Sequence, residues 1–158
     1  MKLLIQRVSR ASVEVNGAIV GEISAGCLVL VGCRFDDSEK DASYLANKLV
    51  ALRIFSDSEG KMNLSLAQTG GAVLLVSQFT LYADTTRGNR PGFEEAGPPD
   101  LAERNFAAFI REVRLRLGDD KVATGVFAAE MRVSLVNEGP VTIELCSDRQ
   151  VWKTPKSG

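Results

Sequence analysis

The sequence contains no histidine. That absence removes Ser-His-Asp triads, Cys-His pairs and every imidazole metal ligand. An enzyme built on this chain draws its chemistry from hydroxyls, carboxylates, backbone amides or the substrate itself. Cysteine is scarce as well: Cys27, Cys33 and Cys146 make an odd count without a CxxC pair. In strand-like apolar stretches these read as buried, reduced thiols, and no metal site is expected. No apolar run exceeds Cys27–Val31, far short of the ~20 residues that span a bilayer. The opening MKLLIQRVSRASV carries Lys2, Arg7 and Arg10 and lacks the apolar stretch of a signal peptide. A cytoplasmic protein without membrane contact is expected. An excess of one charge is missing too, since 19 basic residues face 20 acidic ones. Any contact with nucleic acid is therefore expected to be local, through few phosphates.

What is present fits one domain. The 158 residues are 45% hydrophobic and 25% charged, ordinary values for a globular chain with one core. Leu3–Val8 and Val13–Val15 are strand-like. Asn16-Gly17 then predicts a type I′ hairpin turn, with Ala18–Ile23 returning antiparallel. GCLVLVG, Gly26–Gly32, predicts a strand buried on both faces. Ser38 and Asp41 predict a helix start, after which Ala42, Leu45, Ala46, Leu49 and Leu52 recur at helical spacing. A turn-rich connector follows, with a short strand expected near Arg53–Phe55. Ala72–Val76 predicts a second apolar strand. From Asp84 to Pro99 the chain is polar and rich in glycine and proline, a loop long enough to suggest function or disorder. A second helix is expected with Asp100 as its N-cap and Glu103 behind it. Its stripe is Ala102, Phe106, Phe109, Ile110, Val113 and Leu117, and Gly118 ends it. Strands are then expected over Lys121–Thr124, Met131–Val136 and Val141–Leu145. The tail Asp148–Gly158 is expected to fray.

Two stretches carry chemistry or could be ordinary structure. In SQFTLY, Ser77–Tyr82, a buried strand gives way to a polar loop. Either these are plain strand-end residues, or Ser77, Gln78 and Thr80 and the freed backbone N–H groups point into a pocket. Thr80 as a nucleophile would need a base, and no nearby motif names one. In VNEGPVT, Val136–Thr142, a Gly-Pro pair separates two strand-like flanks. It is either a turn or a narrow main-chain tip, because glycine brings no side chain and Gly-Pro accepts a cis bond cheaply. The doublets Asp36-Asp37, Glu94-Glu95 and Asp119-Asp120 read as solvated turns. Arg87 and Arg90 in the long loop are either phosphate ligands or solubilising charges.

SQFTL and NEGPVT, in that order, resemble motifs of the D-aminoacyl-tRNA deacylase family. So do QRVSRASVEVNG, LRIFSDSEGKMNLS, VSQFTLYADTTRGNRPGF and GVFAAEMRVSLVNEGPVT. The likeness runs from Met1 to about Cys146. It implies a three-layer α/β/β fold, with mixed strands curled into a barrel-like core and two main helices in a single domain, residues 1–147. It implies hydrolysis of D-aminoacyl-tRNA, and of glycyl-tRNA, by a cofactor-free homodimer that rejects L-aminoacyl-tRNA in chiral proofreading. Gly139-Pro140 would be cis and enter the partner's pocket near Ser77, Gln78, Phe79 and Thr80. Asn137, Val141 and Thr142 would complete the tip, with Arg7 and Met131 bracing tip or pocket. The 2′-hydroxyl of the terminal ribose, backbone amides at Phe79 and Thr80 and a water would do the chemistry, while Gln78 orients substrate or tip. One departure is Ala128, where the family often has glycine. Lys153 and Lys156 in the tail could touch tRNA. The alternatives are a non-catalytic dimeric RNA-binding module of the same fold and an acyl hydrolase using Thr80.

Overall fold

The hairpin signal at Asn16-Gly17 is realised with both residues at positive φ, 51° and 80°, the geometry that a type I′ turn needs. It joins β1 (Lys2–Val15) to β2 (Ala18–Ile23). This is the start of a computed structural model that describes residues 1–147. The expected fraying of the tail and the readings of Lys153 and Lys156 lie outside the described residues. β1 is one continuous strand rather than the two short ones expected. Its first half, Lys2–Val8, pairs antiparallel with β3 (Gly26–Gly32), and its second half, Ala11–Val15, with β2. The polar break at Ser9 and Arg10 marks the change of partner, not an end of the strand.

β3 is buried on both faces, as its unbroken apolar run predicts. It pairs in parallel with β6 (Ala72–Ser77), which pairs in parallel with β7 (Val122–Thr124). Cys27, Val29 and Val31 of β3 and Val73 and Leu75 of β6 face one core. Leu28, Leu74 and Val76 face a second, with Val8, Ala11 and Val13. Alternation along each strand thus divides the interior into two apolar layers. The first is capped by α1 (Glu39–Ala51) and α3 (Pro99–Leu117), which contribute Leu45, Leu49, Phe106 and Phe109. The sheet curls until β2 approaches β7, where a Cβ on Gly21 would stand 2.6 Å from the Thr124 carbonyl oxygen. Only glycine permits that approach. The result is the expected mixed α/β domain with a nearly closed, barrel-like sheet.

Local details differ from expectation for physical reasons. α1 starts as predicted, with Ser38 and Asp41 exchanging capping bonds. α3 starts at Pro99 rather than after Asp100, because a proline without an N–H suits the first helical position. The connector holds a short hairpin, β4 (Phe55–Ser56) with β5 (Met62–Leu64), and a one-turn helix α2 (Leu66–Thr69). Ser65 and Gln68 cap α2 reciprocally. Asp119–Lys121 forms a 3-10 turn, so β7 begins at Val122. Met131–Val136 and Val141–Leu145 are not separate strands: β8 (Arg132–Cys146) runs antiparallel along β1. Cys146 near its end is half-buried, whereas Cys27 and Cys33 are buried. The N-terminus closes the fold. The Met1 ammonium donates to the Asp37 carboxylate and to Ser147 Oγ, and the Ser147 N–H returns a bond of 2.9 Å to the Met1 carbonyl. Among the described residues, no helix is long and apolar enough to cross a membrane.

Candidate active site

The parallel strands β3, β6 and β7 all point their C-terminal ends the same way, and side chains leaving a sheet there converge. A cavity of about 620 Å³ lies at that edge, a size typical of small-molecule sites. Val31 comes from the end of β3 and Cys33 directly follows that strand, Val76 and Ser77 come from the end of β6, and Phe127, Ala128 and Ala129 from the segment after β7. α3 supplies Ala102 and Phe106, and the long loop supplies Phe93. The lining carries no charged side chain. Its polar groups are Ser77, Gln78, the Cys33 thiol and main-chain atoms. Burial, reinforced by the Asp37 charge, pushes the Cys33 thiol up to about 12 against the opposing N-terminal ammonium. Cys33 is therefore a neutral wall group and not a nucleophile.

Ser77, Gln78 and Phe79 line this cavity, as the motif suggests. Directly after Gln78 the chain turns into a 3-10 helix, Phe79–Tyr82. Gly32 lets that turn pack against β3: a Cβ there would lie 3.1 Å from Leu81 Cβ and 3.2 Å from the Gln78 carbonyl oxygen. The Gln78 N–H is bonded to the Val31 carbonyl at 2.8 Å. The N–H groups of Phe79 and Thr80, at the start of the turn, have no partner within it, as the geometry of helix starts requires. The Thr80 hydroxyl accepts from the Gln78 amide. Phe79 is 56% exposed and meets Phe93 edge-on, with ring centroids 4.9 Å apart. Lys2 fixes the far side of the turn by donating to the Leu81 carbonyl at 3.2 Å.

The Gly-Pro stretch is neither a hairpin turn nor part of this cavity's lining. Gln6 pairs with Thr142 and Val8 with Asn137, so two steps along β1 face five along β8. The surplus residues bulge outward, and at their apex the Gly139-Pro140 bond is cis, with Gly139 at φ 135°. Glu138, Gly139 and Pro140 are exposed, while Val141 turns back into the core. Two side chains hold the bulge. Asn137 accepts from the Val141 N–H at 2.8 Å and donates to the Val141 carbonyl and to Thr142 Oγ1. Arg7 donates from Nε to the Glu138 carbonyl at 2.9 Å and from Nη1 to the Ile54 carbonyl at 2.6 Å. Arg7 thus braces the tip, whereas Met131 lines the pocket. Thr80, Asn137, Gly139, Pro140, Val141, Thr142 and Arg7 do not line it.

Ala128 sits on the pocket wall at φ 60°, a left-handed conformation that favours glycine. Sequence reasoning missed Phe93, Phe106, Phe127 and Ala129 as lining residues. Phe106 reads as helix core, and nothing local says that Phe93 folds back onto Phe79. Among the described residues, no group of three or more Cys, Asp or Glu side chains is gathered to hold a metal ion.

Known proteins place this geometry. The model of the D-Tyr-tRNA(Tyr) deacylase family matches residues 4–146. A D-aminoacyl-tRNA deacylase of Anaeromyxobacter dehalogenans is 55% identical over 152 residues, covering 94% of this chain and 99% of that protein. The corresponding deacylase of Escherichia coli O1:K1 / APEC is 54% identical over 145 residues, covering 92% and 99%. Among solved structures, one described as a c-Myc DNA unwinding element binding protein has a TM-score of 0.89 at 38% identity, covering 93% of this chain and 99% of that one. Another, described as a probable eukaryotic D-amino acid tRNA deacylase, shares the fold with a TM-score of 0.79 at 18% identity, covering 91% and 97%. The class defined by fold and relatives is that of hydrolases acting on ester bonds. The chain belongs to the D-Tyr-tRNA(Tyr) deacylase family.

Proposed function

We propose that this protein hydrolyses the ester between a D-amino acid, or glycine, and the 3′-terminal ribose of tRNA, acting as a homodimer in chiral proofreading in the cytoplasm. One observation carries the dimeric reading. The main-chain tip at Glu138–Pro140 is exposed and held by Arg7 and Asn137, yet takes no part in lining its own protomer's cavity. It sits on β8, which pairs only with β1 among the described strands and so offers a second edge. The tip of one protomer enters the pocket of its partner. There its carbonyls accept the α-amino group of the substrate, and its bulk meets an L side chain. A D side chain points away, and glycine has none to exclude. Selection is thus by clash.

The chemistry needs no side-chain nucleophile. Water adds to the ester carbonyl, the Phe79 and Thr80 N–H groups bind the developing oxyanion, and the adjacent 2′-hydroxyl helps the proton reach the departing ribose oxygen. The C–O bond breaks to give the free amino acid and tRNA. The apolar walls formed by Phe79, Phe93 and Phe127 suit the terminal adenosine. The assay is incubation with D-Tyr-tRNA, L-Tyr-tRNA and Gly-tRNA, with light scattering for the oligomeric state. Release of D-tyrosine and glycine but not L-tyrosine by a dimer is the expected result. The neighbour named for DNA binding favours a second reading, a nucleic-acid-binding module without turnover. Failure to hydrolyse D-Tyr-tRNA or Gly-tRNA would select it.

A further inference from the structure

A tRNA end is a chain of phosphates, but the cavity at the ends of β3 and β6 has no charged side chain in its lining. Cations for the phosphates must come from its rim. The loop after the 3-10 turn supplies them in an ordered form. Asp84 and Gly92 face each other in an antiparallel bridge, with backbone bonds of 2.9 and 2.8 Å in the two directions. Within the bridge the Asp84 carboxylate accepts the Thr86 N–H at 2.9 Å. The returning arm is anchored by the Arg34–Ala96 bridge and by the Phe35 N–H on the Glu95 carbonyl. Phe93, next to the bridge, lines the cavity and packs against Phe79. The hairpin is therefore fixed to the pocket's mouth.

Arg87 and Arg90 lie in the segment that this bridge closes, and both are exposed. Neither has an ion pair or hydrogen bond among the described residues. Arg90 is three residues from Phe93, so their Cα atoms are at most roughly 11 Å apart along the chain. The acids nearby are partly engaged: Glu95 pairs with Arg34, and the Glu94 carboxyl folds back towards Gly92. Two unpaired guanidiniums beside an uncharged pocket suit phosphate, which they can hold through two N–H bonds each.

We propose that the Asp84–Gly92 hairpin is a backbone clamp in which Arg87 and Arg90 bind phosphates of the single-stranded 3′ end while the terminal nucleotide occupies the pocket. It rests on the deacylase reading of that pocket. The test compares wild type with the double variant Arg87→Ala/Arg90→Ala on two esters, D-Tyr-tRNA and the phosphate-free D-tyrosyl-adenosine. The expected loss on the tRNA is about tenfold or more in kcat/KM, carried by KM, with the adenosine ester unchanged. The log–log salt slope of tRNA binding should flatten by about 1.4, two single-strand phosphates at about 0.7 each. Arg87→Lys/Arg90→Lys should restore part of the affinity, since charge remains without the fork. Equal losses on both esters, or no loss on tRNA, overturn the clamp. Binding of uncharged tRNA gives a readout that needs no hydrolysis. If wild type cleaves neither ester, the deacylase reading falls, and an unaltered affinity and salt slope in the double variant overturn the clamp separately.

Discussion

Arg7 on β1 holds the carbonyl of Glu138 on β8, the residue just before the exposed glycine of the tip, and with the same guanidinium holds Ile54. One planar fork thus ties the bulge to the chain leading into β4. Lysine carries the charge but not the fork. Arg7→Lys should loosen the tip while leaving the fold intact. A hydrogen bond from a charged donor is worth about 1.5–3 kcal/mol, so the ratio of kcat/KM for D-Tyr-tRNA over L-Tyr-tRNA should fall by about tenfold or more. An unchanged ratio would remove the tip from substrate selection.

Ala128 bears a left-handed backbone on the pocket wall. That conformation costs an L residue about 1–2 kcal/mol, part of which glycine returns as unfolded-chain entropy. Ala128→Gly should therefore stabilise the fold by about 0.5–1 kcal/mol and raise Tm by roughly 2 °C. Calorimetry of the two proteins checks this, and a lower Tm would contradict it.

The Met1 ammonium and Asp37 carboxylate form an ion pair whose side chains are 0% and 5% exposed. Removing one partner of such a pair strands the other, at about 3–5 kcal/mol. Asp37→Ala should cost about 3 kcal/mol in urea unfolding at pH 7. Burial pushes the Asp37 carboxyl up, and the Arg34 N–H and the Met1 ammonium only partly offset it. The folded state then binds this proton more tightly than the unfolded chain, so Asp37 loses stability as pH rises, not as it falls. Asp41 is the partly buried carboxylate that contributes acid lability instead. Burial opposes its ionisation, but hydrogen bonds from Ser147 and Ser38 outweigh it and hold its carboxyl low. Its contribution is present above the unfolded value and is lost as pH falls through the folded one. Asp41→Asn should flatten the acid limb of the stability profile.

Features set by neighbours in the chain were legible in the sequence. Asn16-Gly17, Ser38 with Asp41, and the apolar run of β3 each report on a few adjacent residues. Ser65 and Gln68 also form a capping pair, with Gly70 at φ 69° behind them, but the surrounding turn residues masked that one-turn helix. β8 was misread because the Gly-Pro pair ends a regular ladder, and only pairing with β1 reveals that the strand resumes. The SQF side of the pocket was legible as a strand end. Phe93 and Phe127 were not, since each reaches the cavity through a long-range return of the chain. The bond from Met1 to Ser147 joins the two ends of the described chain and leaves no local trace.

Thiol reactivity reports on the first of the two buried layers, which holds both Cys27 and Cys33. Burial pushes both Cys27 and Cys33 up to about 12, only partly opposed by Arg7 at Cys27. Neither offers thiolate near neutral pH. Titration of the native protein with a thiol reagent at pH 8 should find at most one fast group, Cys146. All three should react after denaturation. Fast modification of two or more in the native state would contradict the packing.

The hydroxyl of Thr80 lies beside the proposed oxyanion site, so a covalent mechanism has to be tested against it. A threonine oxygen becomes a nucleophile only when a base removes its proton. The described partner of Thr80 Oγ1 is the Gln78 amide, which donates to it and takes no proton. Cys33 is neutral, and the cavity lining offers neither carboxylate nor amine. What Thr80 contributes to the proposed chemistry is its N–H, which alanine retains. Thr80→Ala should therefore keep kcat on D-Tyr-tRNA within about tenfold, because a general base or nucleophile would contribute about 10²–10⁴-fold. Loss of a thousandfold or more, in a protein whose Tm and dimerisation are unchanged, would instead make the side chain the attacking group.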